Sequence, residues 1–410
     1  VSRKVVLTGF GCVSGLGIGL TETWRRLAAS EGAIRPLLRE APPDHPARRM
    51  DGPAARVDAE ACRAALSAED LRPMGLLDPL SLYALTAGLE AVEAAGLRGH
   101  ASLERRTAIL VGCGSGGNAT IDQAFERLYA RELAKVHPQT IPSSMMSAPA
   151  SHLALLLGCH GPTFVISSAC ASSAHALGEA MHMIRSGRVD VALAGGSEAC
   201  LTLGSWVAWN SVGVMAEDSC RPFSQGRKGM VLGEGAAMVV LESENHARAR
   251  GARVLGELAG YGSSSDAADM TAPDLHGITA AIRMAHEDAG IAPEEPALIS
   301  THGTGTRIND PVEAAALNAV YGPALSGHTV IATKSAHGHL IGATAAMEFV
   351  IGMEALARGV APPVLNHLGP DPECDLPLAL HPVPIDHRVL VSNSFAFGGL
   401  NAVLVGRVAP

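Results

Sequence analysis

An α/β protein built in layers is what this sequence predicts, on three observations. Strand-like runs alternate with helical ones throughout, at residues 5–8, 108–112, 164–167, 189–194, 236–241, 298–300, 330–333 and 389–391. Hydrophobic residues make up 47% of the 410 but aromatics only 3%, so the core is Ala, Val, Leu and Ile. Such small side chains suit close-packed, mainly parallel strands covered by helices. The 45 glycines imply many tight turns and close backbone approaches.

The run at 5–8 opens the chain as a strand. Residues 39–57, with four prolines and several charges, predict an irregular surface excursion. Two later segments resemble each other. Residues 163–187 and 329–359 each run strand, polar turn, helix, and close on Arg and Gly; the helix at 340–358 is apolar nearly all round, as a buried one would be. Two related halves, 1–250 and 251–410, would explain this.

Bulk properties narrow the function. A formal charge of −9 and a pI near 6 argue against nucleic acid as a partner. No apolar run approaches bilayer length, and the start of the chain has no signal-peptide pattern. Eight scattered cysteines without a CxxC pair read as reduced thiols of a cytoplasmic protein.

Reactive side chains concentrate where strand-like runs end. Cys170, in Ser-Ser-Ala-Cys-Ala-Ser-Ser, follows the run 163–166 and precedes a helical repeat of Leu177, Met181 and Ile184 closed by Gly187. A thiol at a helix start meets unpaired N–H groups and the positive end of the dipole, which favour thiolate. The placement fits a nucleophile; it also fits a buried structural cysteine.

Thr301-His302-Gly303-Thr304-Gly305-Thr306 follows the run 298–300 as a polar turn able to hold one imidazole at a strand's carboxyl end. Beyond it, Asp310 is placed to cap a helix, with Pro311 in its first turn and Glu313 completing a capping pattern. Lys334-Ser335-Ala336-His337-Gly338-His339 leads into the apolar helix, where Glu348 would be costly unless paired with Lys334. His302 also fits a structural turn residue, and Lys334 a structural ion pair. A thiol, two imidazoles and a buried cation together suit thioester chemistry.

Six motifs occur in order: Ser-Ser-Ala-Cys170, Arg221-Pro222-Phe223, Val231-Leu232-Gly233-Glu234-Gly235, His302-Gly-Thr-Gly-Thr306, Lys334-Ser-x-x-Gly-His339 and Asn393-Ser394-Phe395-Ala396-Phe397-Gly398-Gly399. In combination they resemble the β-ketoacyl-acyl-carrier-protein synthases, condensing enzymes of the thiolase fold, over essentially the whole chain. The resemblance implies two similar halves in five layers, α-β-α-β-α, and an acyltransferase that extends fatty-acid or polyketide chains. By similarity, Cys170 takes the acyl group and a malonyl-carrier protein loses CO₂. His302 and His339 stabilise the enolate, and the N–H groups of Cys170 and Phe397 form the oxyanion hole. Lys334, paired with Glu348, orders the site; Thr304 and Thr306 support it; Phe397 gates the acyl and malonyl pockets.

The same resemblance places Ser115, Trp206 and Trp209 at the acyl pocket, and Arg63, Arg72 and Lys135 at a docking patch for an acidic carrier protein. It implies no metal and no cofactor of the enzyme's own, because phosphopantetheine arrives on the carrier. The second subunit is either another copy or a paralogue. Ala396, Leu400, Ala345 and Ser224 depart from the family's usual Gly, Thr, Gly and Asp, and Gly75, Leu76 and Gly213 stand where other members carry basic residues. His337 has no catalytic counterpart and reads as a packing residue. The branches most similar in these motifs are nodulation protein E and the polyene-making synthases; a small Ser115 with indole walls suggests a rigid or unsaturated chain.

Three other readings compete. Gly112-x-Gly114-x-x-Gly117 and Gly9-x-Gly11 each follow a strand as a dinucleotide fingerprint does, but Glu132, the acid at the required distance, falls in a helical stretch. His302, His337 and His339 could hold zinc, although Lys334 would repel a cation. A chain-length partner subunit would lack the nucleophile, whereas Cys170, His302 and His339 are all present.

Overall fold

Branched apolar runs become strands of one continuous sheet. The structure, a computed structural model, describes residues 3–40, 49–129 and 134–409. Ten strands carry the fold: β1 (Val5–Ser14), β2 (Thr107–Gly112), β3 (Thr163–Ile166), β4 (Val191–Glu198), β5 (Gly235–Ser243), β6 (Gly256–Ser265), β7 (Ala297–Ser300), β8 (Thr329–Ile331), β9 (Val389–Ala396) and β10 (Leu400–Val408). Their order across the sheet is β8-β7-β9-β10-β6-β1-β5-β4-β2-β3. The first five strands are arranged β3-β2-β4-β5-β1 and the second five β8-β7-β9-β10-β6, the same order twice. The halves meet back to back where β1 pairs β6, at Val6–Glu257 and Leu7–Gly256.

The sheet is mixed, which corrects the expectation of mainly parallel strands. Parallel pairing is confined to β2 with β3 and β4, and β7 with β8 and β9. Within the central run β4-β5-β1-β6-β10-β9 every successive pair is antiparallel. Strand β6 carries too many glycines and serines to stand out as a run, and the largely apolar β10 is a further addition to the expected strands. Residues 39–57 also differ from expectation. Arg35–Glu40 and Arg49–Ala55 pair as a hairpin, and the second strand joins Leu232–Gly233 in a small separate sheet; residues 41–48 lie outside the described residues.

Helices complete five layers. Helices α1 (Pro79–Ala94) and α2 (Ala148–Leu157) cover the outer face of the first half, and α5 (Leu275–Ala289) and α6 (Asn309–Tyr321) that of the second. Between the two sheet halves lie α3 (Ser172–Arg185) and α7 (Thr344–Arg358), in contact with each other. α4 (Leu203–Val212) stands beside the satellite sheet. Among the described residues no helix is long and apolar enough to cross a membrane.

Glycine pairs allow the outer helices to approach. A Cβ on Gly9 or Gly11 of β1 would lie 2.1 and 2.0 Å from the carbonyl oxygens of Ala91 and Ala87 in α1. On β6 the equivalent Gly260 and Gly262 face Ala285 and Ala281 of α5 at 2.6 and 2.1 Å. Gly9-x-Gly11 thus serves helix–strand packing. A Cβ on Gly112 would lie 2.3 Å from the Ser173 nitrogen, so this glycine admits the start of α3 beside the sheet. Glu132, the acid of the dinucleotide reading, is outside the described residues.

Replacing Gly11 or Gly262 by Ala should therefore cost roughly 1–3 kcal/mol by overpacking against backbone. Gly327→Ala, with nothing within 4 Å of the added Cβ, should stay within about 0.5 kcal/mol. Chemical unfolding of the three variants measures this; equal midpoints would refute the twinned packing.

Candidate active site

The site begins with a strained turn. Ser168 ends in an irregular conformation, and Ala169-Cys170-Ala171 form one 3₁₀ turn before α3, with Ala169 at φ 48°. A non-glycine residue in the left-handed region is uncommon and collects at functional sites. Ser172 Oγ donates to the Ala169 carbonyl (2.6 Å) and accepts from the Ser168 N–H (2.9 Å), which clamps the turn. The second half repeats the device: Ile341-Gly342-Ala343 form a 3₁₀ turn before α7, with Ile341 at φ 43°.

The three predicted reactive groups converge. Cys170 Sγ and one ring nitrogen each of His302 and His339 lie within 4.8 Å of one another, all buried. His339 Nε2 is 3.1 Å from the sulfur, and the two imidazole rings stand edge to face at 5.5 Å. The Ile341 N–H donates to His339 Nδ1 (3.2 Å), and the Thr344 hydroxyl lies 2.8 Å from it. With Nδ1 accepting, the neutral ring carries its proton on Nε2, facing the sulfur.

His302 is oriented the same way by different groups. The Lys334 Nζ donates to His302 Nδ1 (3.3 Å), to the His302 carbonyl, and to both Glu348 oxygens (2.8 and 3.0 Å). The predicted Lys334–Glu348 pair is therefore present, with both side chains 1% exposed. Burial pushes the Glu348 carboxyl up, and the Lys334 ammonium opposes that. Burial and then the charge of Lys334 hold both His302 and His339 well below the usual imidazole range. Both rings are thus neutral near pH 7 and present Nε2–H to one cavity.

Several expectations need correction. The helix start does not make Cys170 a thiolate: burial pushes its thiol up to about 11, against the opposing pull of Lys334 and the N–H groups of Phe397 and Cys170. Desolvation wins because the sulfur is buried, with Cys170 only 6% exposed at the inner end of a cavity. Asp310 and Glu313 do not cap α6, whose N-cap is Ile308 without a side-chain bond. Glu313 instead accepts the His302 and Gly303 N–H groups (2.7 and 2.8 Å), and Asp310 those of Phe223 and Gly305 (2.7 and 3.2 Å). Motif spacing concealed this role, because a carboxylate one turn into a helix looks like a cap.

A cavity of about 440 Å³ opens from Cys170, His302 and His339 past Thr304, Thr306, Trp209 and Phe397 to the surface. Thr304 and Thr306 hydroxyls are 3.0 Å apart. Phe397 occupies the β9–β10 turn with Trp209 tilted against it at 6.1 Å. Trp206, expected beside it, does not line this cavity; it is buried among Ala54, Met230, Leu232 and Ile341. Ser115 is also absent from the lining, because its hydroxyl donates to Glu198 (2.5 Å), a buried carboxylate that also accepts from Gly114 N–H. A segment the motifs did not reveal closes one wall. The Gly398 N–H donates to the Met270 carbonyl (2.8 Å), and Met270, Thr271, Ala272 and Pro273 line the cavity.

His337 takes no part in the cluster: its nitrogens meet the Gly338 carbonyl (2.8 Å) and Thr333 hydroxyl (2.9 Å). The three-histidine zinc set is therefore not assembled. Arg63 and Lys135 line a separate groove of about 420 Å³ that Arg72 does not line.

Residues 2–247 match the family model for the beta-ketoacyl synthase N-terminal domain, and residues 255–367 that for the C-terminal domain. The chain belongs to the beta-ketoacyl synthase family. It is 40% identical over 410 residues to nodulation protein E of Rhizobium leguminosarum bv. trifolii, covering 99% of this chain and 100% of that one. Its identity to 3-oxoacyl-[acyl-carrier-protein] synthase 2 of Coxiella burnetii is 34%, over 98% of each. The ishigamide ketosynthase/chain length factor structure superposes with a TM-score of 0.91 at 34% identity over the full length of both chains. That structure shares the fold described above.

With the Cys170 thiol pushed up to about 11, its carbamidomethylation by iodoacetamide should rise about tenfold per pH unit. No plateau is expected between pH 6 and 9, followed by mass analysis of the Cys170 peptide. A plateau below pH 8 would show that the helix end and Lys334 outweigh burial.

Proposed function

We propose that Cys170, His302 and His339 carry out a decarboxylative condensation between two carrier-bound thioesters, as the family membership indicates. The observation that carries this reading is the meeting of one thiol and two neutral Nε2–H donors in a single buried cavity. The protein is an acyltransferase of the 3-oxoacyl-carrier-protein synthase type.

In the first half-reaction Cys170 sulfur attacks the acyl thioester. Its carbonyl oxygen becomes anionic facing the N–H groups of Cys170 and Phe397, the two backbone donors that act on the sulfur. Collapse expels the carrier's phosphopantetheine thiolate, which takes the proton lost by Cys170. The His339 Nε2–H stabilises the sulfur anion at 3.1 Å and is not its base, because its other nitrogen is held as the acceptor.

The malonyl thioester then places its carbonyl oxygen between His302 and His339. Loss of CO₂ moves the C–C electron pair into an enolate, whose oxygen receives two hydrogen bonds from neutral donors. The enolate carbon attacks the acyl carbonyl on Cys170, and the thiolate leaves and is reprotonated. The product is a β-ketoacyl group, longer by two carbons, on the second carrier. This reading assigns every hydrogen-bond donor in these steps to the chain itself.

Acyl carrier protein is the partner named in the Coxiella relative, and a chain length factor that in the ishigamide structure. We assign carrier recognition to this chain and leave its second subunit as either another copy or a paralogue, which the native mass of the complex separates. A non-catalytic partner role is opposed by the complete set Cys170, His302 and His339. Arg63 and Lys135 support the docking patch by sharing one groove.

Incubation with acyl-carrier protein should add one acyl mass to the wild-type chain at Cys170. Cys170→Ala should show no adduct and an unfolding midpoint within a few degrees of wild type. An adduct persisting in that variant would refute the assignment.

A further inference from the structure

Two exposed cations at the mouth of the Cys170 cavity have no part in the chemistry above. Lys228 and Arg307 both line it, and neither has an ion-pair partner among the described residues. The nearby Asp218 carboxylate is taken up by Arg221 at 2.7 Å, with Lys228 a lesser influence on it.

Their closeness is built in. Lys228 follows Arg227, a buried side chain whose Nε donates to the Thr306 carbonyl (3.2 Å), immediately before Arg307. The Arg227 guanidinium is anchored behind by Asp371. Gly305 (φ 76°) lets the His302 loop press on the neighbouring segment, its Cβ position being 3.1 Å from both the Gly229 carbonyl oxygen and the Arg221 nitrogen. The backbone segments that carry the two cations are thus held against each other at one cavity mouth, where an anion can meet both charges.

The loop itself measures the way in. Exposure rises from His302 (3%) and Thr304 (6%) to Ile308 (58%) along consecutive residues. Arg307 lies five positions beyond His302, at most about 18 Å of chain. Thr304 and Thr306 hydroxyls mark the path between, and Met270 (75% exposed) and Ile308 give the rim an apolar side.

We propose that Lys228 and Arg307 bind the phosphate at the outer end of the pantetheine arm while its thioester reaches Cys170. This rests on the condensing-enzyme reading above. The ligand class is a pantetheine phosphodiester borne by a carrier protein. Coenzyme A ends the same arm in a pyrophosphate, and the experiment separates the two.

The test compares Cys170 acylation by acyl-carrier protein, acyl-coenzyme A and phosphate-free acyl-pantetheine, in wild type and in Lys228→Gln/Arg307→Gln. The ratio of kcat/KM for acyl-carrier protein over acyl-pantetheine should fall about tenfold or more in the double variant, through KM. The ratio for acyl-coenzyme A over acyl-pantetheine should fall less. A wild-type enzyme that is not acylated by any donor overturns the condensing-enzyme reading. An enzyme that is acylated but whose ratios do not change overturns only the phosphate site, and a loss confined to acyl-coenzyme A overturns the carrier as its source.

Discussion

One buried ammonium group sets the conditions for the rest of the site. Lys334 is fully buried, and a lone charge there would cost several kcal/mol. Its three N–H donors are shared among four acceptors, the two Glu348 oxygens and the ring nitrogen and carbonyl of His302. Holding His302 Nδ1 as an acceptor sends that ring's proton toward the cavity. The same charge, behind the larger effect of burial, keeps His302 and His339 neutral and lowers the cost of an anion on Cys170. Enolate stabilisation by neutral donors follows from this one placement.

The repeated half-sheet explains how residues so distant in sequence meet. Cys170 follows β3, and Lys334 and His339 follow β8, its counterpart; His302 follows β7 and Phe397 follows β9. Both middle helices start from a strained 3₁₀ turn, with Cys170 in one and Gly342 at the same place in the other. The second turn is used differently. Its Gly342 N–H donates to Glu198 (3.1 Å), which also holds Gly114 and Ser115. One elbow thus presents a nucleophile and open N–H donors, and its twin is filled by a carboxylate.

Much of this is legible in the sequence because the reactive residues sit at the ends of strands within short ordered motifs. The Lys334–Glu348 pair follows from the cost of a carboxylate on an apolar helix. Other features depend on contacts that no local pattern encodes. β6 reads as turn-like because its glycines and serines serve the approach of α5 and not strand propensity. Trp206 and Trp209 lie three residues apart on one helix, so sequence alone does not say which indole enters the cavity. The Cys170 thiol illustrates the same limit: the helix end that favours thiolate is local, whereas the enclosure that opposes it comes from the whole fold. Lys228 and Arg307 are 79 positions apart in number and become neighbours only through Arg227 and Thr306.

The central claim, that two neutral imidazoles share one developing enolate, is tested most directly by CO₂ release from malonyl-carrier protein. Single His302→Ala and His339→Ala variants and the double variant would be compared with wild type. Each single change should slow release by about 10²-fold or more, with the double variant little worse than either, because the two donors act as a unit. Near wild-type release from either single variant would contradict the account.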